Sequence, residues 1–397
     1  MHSKFISFDT FLSSHQEYWR LDPFHLCQAG TLPWYNAKPN LNAWLNSLDT
    51  SSIQLLKSSP NKLVEEMERF FPMLEAIKHL CVLPQLQLSG LDLPKGADAG
   101  IPGRKLTQIL AMGEAALHAH EGAEWLEWCA GKGFLGRILS SQSQQKVTSF
   151  EWQNSLCISG QAEADKQGLN MQFVQGDAFS DTSDQVFNSC QHAVALHACG
   201  DLHTGLLKKV AKHALPAVSI SPCCYHLIHS EHYLPLSERA KQSKLELSKS
   251  DLRIPLQETV TGGERVKRHR QLEMTFRLGL CQLLKVEVGI KQYIPVPSIK
   301  KSQLAEGFKA FCLWAATEKE ITLPTHINFG LYQQQGEALF WEMEKLSLVQ
   351  QVFRRPLELW LALDRGMYLQ EQGYQVSISQ FCNKSVTPRN ILIHAHK

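Results

Sequence analysis

The chain has 397 residues, of which 44% are hydrophobic and 20% are charged, and its formal net charge is +2. This composition is typical of a soluble globular protein with two or three packed units. The small net charge means that nucleic acid could be bound only through a local patch. No apolar run approaches the roughly 18 residues that a membrane span requires, so no membrane partner is expected. The N-terminus lacks a signal-peptide pattern, and several of the eleven cysteines lie in apolar runs, which indicates a reducing compartment and a cytoplasmic location.

Residues 1–95 predict a helical N-terminal domain. The stretch SPNKLVEEMERFFPMLEAIKHL begins with Ser59 and Pro60 and repeats its apolar residues every three or four positions, as an amphipathic helix does. The Pro- and Gly-rich stretch LDLPKGADAGIPGRK then indicates a boundary or connector, and a helix is predicted from about Lys105 to His120.

An alternation of short strands and helices begins near residue 123. The predicted strands are AEWLEWC, KVTSFEW, MQFVQGDAF, QHAVALHACG and AVSISPCC, and the predicted helices are FLGRILSSQ, SLCISGQAEADKQG and HTGLLKKVAKHA. Strands separated by helices in this rhythm imply right-handed crossovers and a parallel sheet. The sequence therefore predicts an α/β fold of the doubly wound, Rossmann-like kind.

The rhythm stops after SPCCYH, which ends at His226. Residues 227–352 have mostly charged helical patterns, including LSERAKQSKLELSKS and QQGEALFWEMEKLSLVQQV. The stretch RPLELWLALDRGMYLQEQG then predicts an amphipathic helix, and YQVSISQFC and RNILIHAHK predict two strands that complete the sheet. We therefore expect an α/β domain formed by residues 96–226 and 353–397. Residues 227–352 would be a helical insertion that could recognise a substrate.

Two glycines one residue apart, Gly131 and Gly133, lie where the first strand of this alternation turns into a helix. Bare backbone at such a turn either relieves packing or lets a ligand approach closely, and the sequence leaves both explanations open. Cys129 occupies the position of a first glycine, and the acidic residue Glu127 precedes it. The literal GKGFLG match, which ends at Gly136, also leaves a nicotinamide dinucleotide open as the ligand.

Acidic residues end the next two strands. Glu151 lies about 20 residues beyond the glycine turn, where an acidic side chain accepts hydrogen bonds from a ribose diol. Asp177 ends the third strand, where a carboxylate can meet an adenine amino group. Either residue alone is typical of a helix cap or a surface acid. The turn and the two acids together predict an adenosine-bearing ligand, and Asp177 with the C-terminal strand pair favours S-adenosylmethionine.

Cysteine and histidine residues mark the ends of the fourth and fifth strands, in LHACGD and SPCCYH. Ligands of open parallel sheets bind outside the carboxyl ends of the strands, so both stretches would face a reacting group. Three interpretations compete: a catalytic pocket with His197, Asp201 or His226 as general base, a metal site, and strand-end side chains that satisfy backbone hydrogen bonds. The spacing is not that of a zinc ribbon or finger, so no metal ligand is assigned. A metal site would draw its ligands from Cys223, Cys224, His226, Cys199 and His197.

A basic run follows a Gly-Gly turn in TVTGGERVKRHRQLEMTFR. Such a run is usually a solvated helix face, but in an insertion over the substrate side it would contact the phosphates of RNA. The loop NKSVTPRN is either a proline-stiffened connection or carries Arg389 to the substrate side. The basic run consists of Arg265, Lys267, Arg268, His269 and Arg270.

Five stretches together resemble class I S-adenosylmethionine-dependent methyltransferases: EWCAGKGFLGRIL, LHACGDL, SPCCYH, TGGERVKRHR and FCNKSVTPRNILI. The closer resemblance is to the methyltransferase half of the glutathione-S-transferase-C-terminal-domain-containing protein and its bacterial relatives, over roughly residues 100–230 and 350–397. LHACGD and SPCCYH also resemble, more loosely, the tRNA 2′-O-methyltransferase that acts on the acceptor stem. The resemblance implies a seven-stranded class I methyltransferase sheet with S-adenosylmethionine as cofactor.

The resemblance also implies roles for individual residues. The methionine part of the cofactor would be bordered by Glu127, Gly131 and Gly133. Glu151 would hold the ribose and Asp177 the adenine, and the segment from His197 to Asp201 would line the methyl-transfer site. The fourth strand lacks the Asn-Pro-Pro-Tyr tetrapeptide of base-amino methyltransferases, which disfavours methylation of an exocyclic amine. Cys129 replaces the usual glycine, which would tighten or weaken cofactor binding. The expected cofactor-binding residues are Glu127, Cys129, Gly131, Gly133, Glu151, Asp177 and His197.

The sequence thus predicts an S-adenosylmethionine-dependent methyltransferase that acts on RNA, either tRNA or rRNA, through the basic run from Arg265 to Arg270. The predicted catalytic residues are His197, Asp201 and His226, because a hydroxyl acceptor would need a base. The alternatives are a protein or small-molecule methyltransferase and a non-catalytic module that binds a metal through the cysteines and histidines. The acceptor atom, the oligomeric state and the role of residues 1–95 are left open.

Overall fold

A computed structural model describes residues 1–29, 32, 34–94, 96–257 and 263–397 of the chain. The N-terminal part is helical, as predicted. The predicted stretch from Ser59 to Leu80 forms two helices rather than one, because Pro72 lies between them and proline cannot donate to a helix hydrogen bond. The N-terminal helices are α1 His2–Ser14, α2 Gln16–Trp19, α3 Pro23–Leu26, α4 Pro39–Ser47, α5 Thr50–Ser58, α6 Pro60–Glu68 and α7 Leu74–Leu80.

The alternation of strands and helices is confirmed. Each predicted strand and helix between residues 123 and 224 is present, with bounds that differ by a few residues at most. The helix α8, Gly103–His118, precedes the alternation, and an additional 3-10 helix, Asp181–Val186, lies before β4. The elements of the alternation are β1 Glu124–Trp128, α9 Phe134–Ser143, β2 Val147–Glu151, α10 Asn154–Lys166, β3 Met171–Gln175, β4 Gln191–Cys199, α11 Asp201–Lys212 and β5 Ala217–Cys223.

The remaining elements differ from the sequence prediction at two places. The helix predicted for LSERAKQSKLELSKS covers only Glu238–Lys241, and the two helices predicted on either side of Pro356 are one continuous helix. These elements are α12 Glu238–Lys241, a 3-10 helix Asp251–Gln257, α13 Glu264–Leu283, a π-helix Leu284–Val288, α14 Lys301–Leu304, α15 Phe308–Glu318, α16 Phe329–Glu371, β6 Gln375–Gln380 and β7 Ile391–His396.

Seven strands form one sheet within the described residues, in the order β3-β2-β1-β4-β5-β7-β6. The strands β1 to β5 are parallel, and β7 is antiparallel to both of its neighbours. Helices cover the parallel strands, and β2 is buried along its whole length although three of its five residues, Thr148, Ser149 and Glu151, are polar. The strand order reverses between β1 and β4, which is where ligands bind in open α/β sheets. The predicted Rossmann-like fold with a helical N-terminal part and a helical insertion is confirmed.

The chain divides into two compact units. The first contains the sheet and consists of Met1–Ser14, Ala76–Thr261 and Arg354–Lys397. The second consists of His15–Glu75 and Gly262–Phe353 and has its own aromatic core around Phe276, Phe308 and Phe311. The three-part division predicted from the sequence, with boundaries at residues 95, 226 and 352, stays a prediction. No helix in the described part of the chain combines the length and the apolar character needed to cross a membrane.

Candidate active site

The turn between β1 and α9 passes through left-handed backbone three times, at Cys129 (φ 57°), Gly131 (φ 61°) and Gly133 (φ 67°). A left-handed conformation costs a residue with a side chain about 1–2 kcal/mol, so the turn is strained at Cys129. Gly133 is the N-cap residue of α9. The first turn of α9, whose N–H groups have no partner within the helix, therefore lies at the carboxyl edge of the sheet.

The two glycines of this turn have different surroundings. A Cβ atom added at Gly131 would meet no atom within 4 Å. A Cβ atom at Gly133 would lie 2.4 Å from Cζ of Phe173 and 3.2 Å from Cε of Met171. Gly131 therefore faces open space in which a ligand can lie against the backbone, whereas Gly133 is required by packing against β3. The two explanations that the sequence left open therefore apply differently to the two glycines, and the cofactor-binding roles of both stay predictions.

Glu127 lies behind the turn, with only 4% of its surface exposed. Its Oε2 accepts a hydrogen bond of 2.8 Å from Oγ of Ser149, and the backbone N–H groups of Leu135 and Gly136 donate to the same carboxyl group. Burial raises the pKa of Glu127 to about 7, although these hydrogen bonds oppose the increase. In this geometry Glu127 anchors the first turn of α9 to the sheet. Its predicted place beside the methionine part of the cofactor stays a prediction.

Glu151, at the end of β2, is buried and hydrogen-bonded to the backbone of the turn. Its Oε2 accepts a hydrogen bond of 2.8 Å from the backbone N–H of Gly131, and its Oε1 accepts one of 2.9 Å from Gln153. Each carboxylate oxygen can accept a second hydrogen bond, so both oxygens are still able to bind a hydroxyl group. The predicted diol-binding residue is therefore held next to the glycine that faces open space.

Asp177 follows β3, and its Oδ1 accepts a hydrogen bond of 2.9 Å from the backbone N–H of Phe179. Two large aromatic side chains near the predicted adenine site are exposed: Trp152, which follows Glu151, is 65% exposed, and Phe179 is 52% exposed. Exposed rings of this kind offer a surface on which a planar base can stack. Neither residue was predicted from the sequence, although Trp152 directly follows Glu151 and Phe179 lies two residues after Asp177.

The end of β4 is irregular. Its register against β5 shifts between Leu196 and Cys199, and His197 has a left-handed φ of 72°. Nε2 of His197 lies 3.1 Å from Oε1 of Gln108 on α8. Burial, followed by the nearby charge of Lys105, lowers the pKa of His197, so the ring is neutral at pH 7. The predicted roles of His197 in cofactor binding and catalysis stay predictions.

Asp201, the first residue of α11, holds the segment that follows β5. Its Oδ2 accepts a hydrogen bond of 2.8 Å from the backbone N–H of His229 and lies 3.0 Å from Nδ1 of the same residue. The backbone N–H of Asp201 donates to the carbonyl of Leu227 at 3.0 Å, and a Cβ at Gly200 would lie 1.9 Å from that oxygen. The side chain of His229 is 72% exposed and contacts the ring of Phe179, with centroids 4.6 Å apart.

The contact between Asp201 and His229 adds a candidate to the predicted bases. A carboxylate beside Nδ1 holds the proton on that nitrogen and leaves Nε2 as the acceptor, which is the arrangement of a histidine that acts as general base. Asp201 therefore orients His229, which the sequence analysis did not name as a catalytic residue. The pair could not be found from the sequence because the two residues are 28 positions apart and meet only through the fold.

Three thiols meet at the ends of β4 and β5. Cys199 and Cys223 are register partners with Sγ atoms 3.2 Å apart, and the sulfur of Cys224 lies within 4.8 Å of both. The hydrogen bond from Cys223 lowers the pKa of the Cys224 thiol to about 5, whereas hydrogen bonds to Cys199 and Cys224 raise the pKa of Cys223. These hydrogen bonds therefore favour the thiolate form of Cys224 over that of Cys223.

Two further predicted residues lie at this end of the sheet. Nδ1 of His226 is buried and has no hydrogen-bond partner, and burial is the main cause that lowers the pKa of this histidine. Arg389 is close enough for its positive charge to lower the pKa of Cys224, and its backbone carbonyl accepts a hydrogen bond of 3.2 Å from Ser221. The structure thus brings His226 and Arg389 to the cysteine cluster. The role of His226 as a base stays a prediction.

The basic run lies on α13 in the second compact unit. Lys267 pairs with Glu264 at 2.8 Å, and Arg270 pairs with Glu344 at 2.9 Å. Arg265 and Arg268 are exposed on the same helix, and His269 is half-buried. Gly262 of the preceding Gly-Gly turn lies outside the described residues. Arg265 and Arg268 are therefore the side chains of the run best suited to meet a phosphate.

The domain that contains the sheet is similar to known methyltransferases. Residues 104–231 match a family model described as a methyltransferase domain. No curated protein matches the chain. Among solved structures, the tRNA (uracil-54, C5)-methyltransferase of Pyrococcus abyssi in complex with S-adenosyl-L-homocysteine is 15% identical, with a TM-score of 0.25 over 29% of this chain and 28% of that one.

Two other solved structures are also similar. TehB from Haemophilus influenzae is 16% identical, with a TM-score of 0.23 over 28% of this chain and 38% of that chain. The methyltransferase PaMTH1 of Podospora anserina, bound to S-adenosyl-L-homocysteine, is 7% identical, with a TM-score of 0.34 over 82% of this chain and 95% of that chain. The chain thus spans only 28% and 38% of the length of the first two structures.

The sheet order and the antiparallel β7 define the fold as that of class I methyltransferases. The family match, which covers less than half of the chain, identifies an S-adenosylmethionine-dependent methyltransferase domain within it. The predicted class of enzyme and its predicted cofactor are confirmed for this domain. The two narrower resemblances, to the glutathione-S-transferase-related protein and to the acceptor-stem enzyme, stay predictions.

Proposed function

We propose that the whole chain transfers a methyl group from S-adenosylmethionine to an acceptor on RNA. The observation that carries the first half of this proposal is the glycine turn, where Gly131 faces open space and Glu151 binds its backbone N–H. A bulky ligand with a vicinal diol fits such a turn, because no side chain covers the backbone at Gly131 and the carboxylate of Glu151 lies next to it. Asp177, with the exposed rings of Trp152 and Phe179, would receive the adenine.

The cofactor supplies a methyl group on a positively charged sulfur, and the chain supplies position and proton transfer. The strand ends hold both sides of the site in fixed geometry, which matters because methyl transfer needs donor and acceptor atoms about 3–3.5 Å apart and aligned. His229, oriented by Asp201, would accept the proton of a hydroxyl acceptor through Nε2. An oxygen acceptor is therefore favoured over an exocyclic amine.

RNA is supported by the exposed Arg265 and Arg268 on α13 and by the resemblance of LHACGD and SPCCYH to a tRNA enzyme. Phosphate contacts would make RNA binding depend steeply on salt. Replacing Arg265 and Arg268 by alanine should reduce the slope of log affinity against log salt by about 0.7–0.9 for each lost contact. Lys62, exposed on α6, provides the matched control, since Lys62→Ala should leave the slope unchanged.

The test of the proposed function starts with the purified full chain, methyl-labelled S-adenosylmethionine and a lysate of cells that lack the protein. Label released by RNase supports the proposal. Label released by protease, or found on a small molecule, would replace RNA by the alternative acceptor. Absence of S-adenosylmethionine binding in a direct titration would overturn the proposal as a whole.

The role of His229 is tested on the acceptor found in this way. His229→Ala should lower kcat by about 10²–10⁴-fold, the usual contribution of a general base, while cofactor affinity stays unchanged. The exposed neighbour His232 is the matched control, because His232→Ala leaves the pairing with Asp201 intact. An unaltered kcat in His229→Ala would show that this histidine is not the base.

The location of the protein is also a proposal. All eleven cysteines are free thiols, and three of them lie close enough together to react under oxidising conditions. Thiols in such an arrangement persist in a reducing compartment, which supports the cytoplasm.

A further inference from the structure

The cysteine cluster at the ends of β4 and β5 has a geometry that methyl transfer does not explain. Its three sulfurs, on Cys199, Cys223 and Cys224, all lie within 4.8 Å of one another. In the described part of the chain, this is the one group of three cysteine, histidine or acidic side chains close enough to share an ion. The proposed base, His229, is not part of the cluster.

The backbone is distorted so that the three sulfurs can meet. Neighbouring residues of a strand point to opposite faces of a sheet, so Cys223 and Cys224 would be expected to point apart. Cys224 instead has a left-handed φ of 43°, which only a minority of residues with a side chain adopt. The shift in register of β4 places Cys199 opposite Cys223. Distortions of this kind persist where a site requires them.

The chemistry of the cluster matches a soft divalent cation. Thiolate sulfur is a preferred ligand of Zn²⁺, at about 2.3 Å, so that two sulfurs on one tetrahedral ion lie about 3.8 Å apart. The sulfurs of the cluster already lie near this separation. A second observation points the same way: His226, two residues after Cys224, has a buried Nδ1 with no hydrogen-bond partner.

We propose that Cys199, Cys223 and Cys224 bind one Zn²⁺ ion as a three-thiolate site. Three protein ligands leave one tetrahedral position for a further ligand, and the imidazole of His226 is the nearest histidine along the chain from Cys224. The thiol protons leave to solvent as the metal binds, so that binding releases protons. The site fixes the carboxyl ends of β4 and β5 to each other. This inference does not rest on the proposed methyl transfer.

The experiment uses the reduced, metal-stripped full chain and Co²⁺ or Zn²⁺ alone as the probe. We expect saturable binding of one ion per chain, with the sulfur-to-cobalt charge-transfer absorption that thiolate ligands produce. Cys224→Ser should weaken metal binding by more than about 100-fold. Loss of a residue that only supports the ligands typically lowers metal affinity by about 10- to 100-fold, and loss of a ligand itself should lower it further. Cys190→Ser and Cys157→Ser, an exposed and a buried cysteine outside the cluster, should bind as the wild type does.

A second measurement avoids substitutions altogether. Alkylation of the wild-type chain with and without Zn²⁺, followed by peptide mass analysis, should show protection of Cys199, Cys223 and Cys224 and none of Cys190. Absence of saturable binding, or equal alkylation with and without Zn²⁺, would overturn the proposal. A Cys199–Cys223 disulfide that forms when a chain unable to bind the metal is treated with oxidised glutathione, which is reduced to two thiols, would reassign the cluster to thiol–disulfide exchange. Each readout is independent of methyl transfer, so its failure leaves the proposed function standing.

Discussion

Replacing Gly131 by alanine separates the two explanations of the glycine turn. Nothing lies within 4 Å of the added Cβ, so the substitution clashes with no protein atom. Its cost to folding comes from the left-handed φ of 61°, about 1–2 kcal/mol for a residue with a side chain. About 0.4–1 kcal/mol of this is offset because alanine restricts the unfolded chain. We expect the free energy of unfolding to fall by only about 1 kcal/mol, which leaves a folded domain.

The effect on cofactor affinity should be larger. In the proposed site the cofactor lies against the backbone of Gly131, and overpacking of this kind costs about 1–3 kcal/mol. The affinity for S-adenosylmethionine should therefore fall about 5- to 160-fold, as measured by isothermal titration calorimetry. S-adenosyl-L-homocysteine, which lacks the transferred methyl group, serves as a second ligand. An affinity within about twofold of the wild type for both ligands would refute the reasoning and leave Gly131 with a conformational role only.

Gly133→Ala is the matched control. It has the same left-handed strain, but its Cβ would lie 2.4 Å from the ring of Phe173. We therefore expect a larger loss in the free energy of unfolding than for Gly131→Ala, followed by denaturant titration. The double variant Gly133→Ala/Phe173→Leu should recover part of that loss. Equal stability of the two single variants would show that the contact with Phe173 does not require a glycine.

Three further predictions concern the same domain. Because the pKa of Glu127 is raised from 4.5 to about 7 on folding, the free energy of unfolding should fall by as much as about 3 kcal/mol as the pH rises through that window. Glu127→Gln should flatten this slope in urea titrations, and a slope equal to that of the wild type would contradict the raised pKa. Trp152→Ala should weaken cofactor binding by about 1–3 kcal/mol if adenine stacks on the exposed ring, and an unchanged affinity would exclude stacking. Lys105→Ala should raise the pKa of His197 in an NMR titration, since the lysine charge lowers it; a pKa that stays or falls would show that the charge does not act there.

The sheet could be predicted from the sequence because its signals are local. Each strand from β1 to β5 is a short stretch that contains buried apolar residues, and a glycine, an acidic residue or a cysteine marks its end. Parallel strands place these ends along one edge, so Gly131, Glu151 and Asp177 could be assigned to the same edge of the sheet without a structure. The sequence could not show which of the two glycines faces open space, because the ring that fills the space at Gly133 comes from Phe173.

The predicted helix in LSERAKQSKLELSKS failed because of a residue far away in the chain. Asp364 is fully buried and accepts hydrogen bonds from the backbone N–H groups of Leu236 and Ser237 and from the hydroxyl groups of Ser237 and Tyr233. These contacts fix the segment just before the helix, which begins at Glu238. Beyond Lys241 the hydroxyl of Ser243 donates to Asp9, and the carbonyl of Leu247 accepts from the N–H of Tyr233, so the chain follows an irregular path. A local pattern contains no information about a partner more than 120 positions away.

The continuous α16 was missed for a different reason. Proline in the interior of a helix costs about 3 kcal/mol, and the two patterns that predicted separate helices meet next to Pro356. The residues that follow are almost completely buried, including Leu357, Trp360 and Leu361. Burial of one such side chain contributes about 1.5–3 kcal/mol, so two of them outweigh the proline. Packing overrides a local propensity here, as it does in many buried helices.

The contact of Gly200 with Leu227 has a consequence for how an acceptor is received. The chain after β5 is held by the backbone of Asp201 and by its carboxylate, and a side chain at position 200 would not fit beneath it. That side of the site is therefore already ordered before any molecule arrives. Ordering a loop on binding costs about 1–2 kcal/mol for each residue that is fixed. If an acceptor binds against this ordered segment, no entropy is lost in ordering the segment. More of the interaction free energy then contributes to affinity.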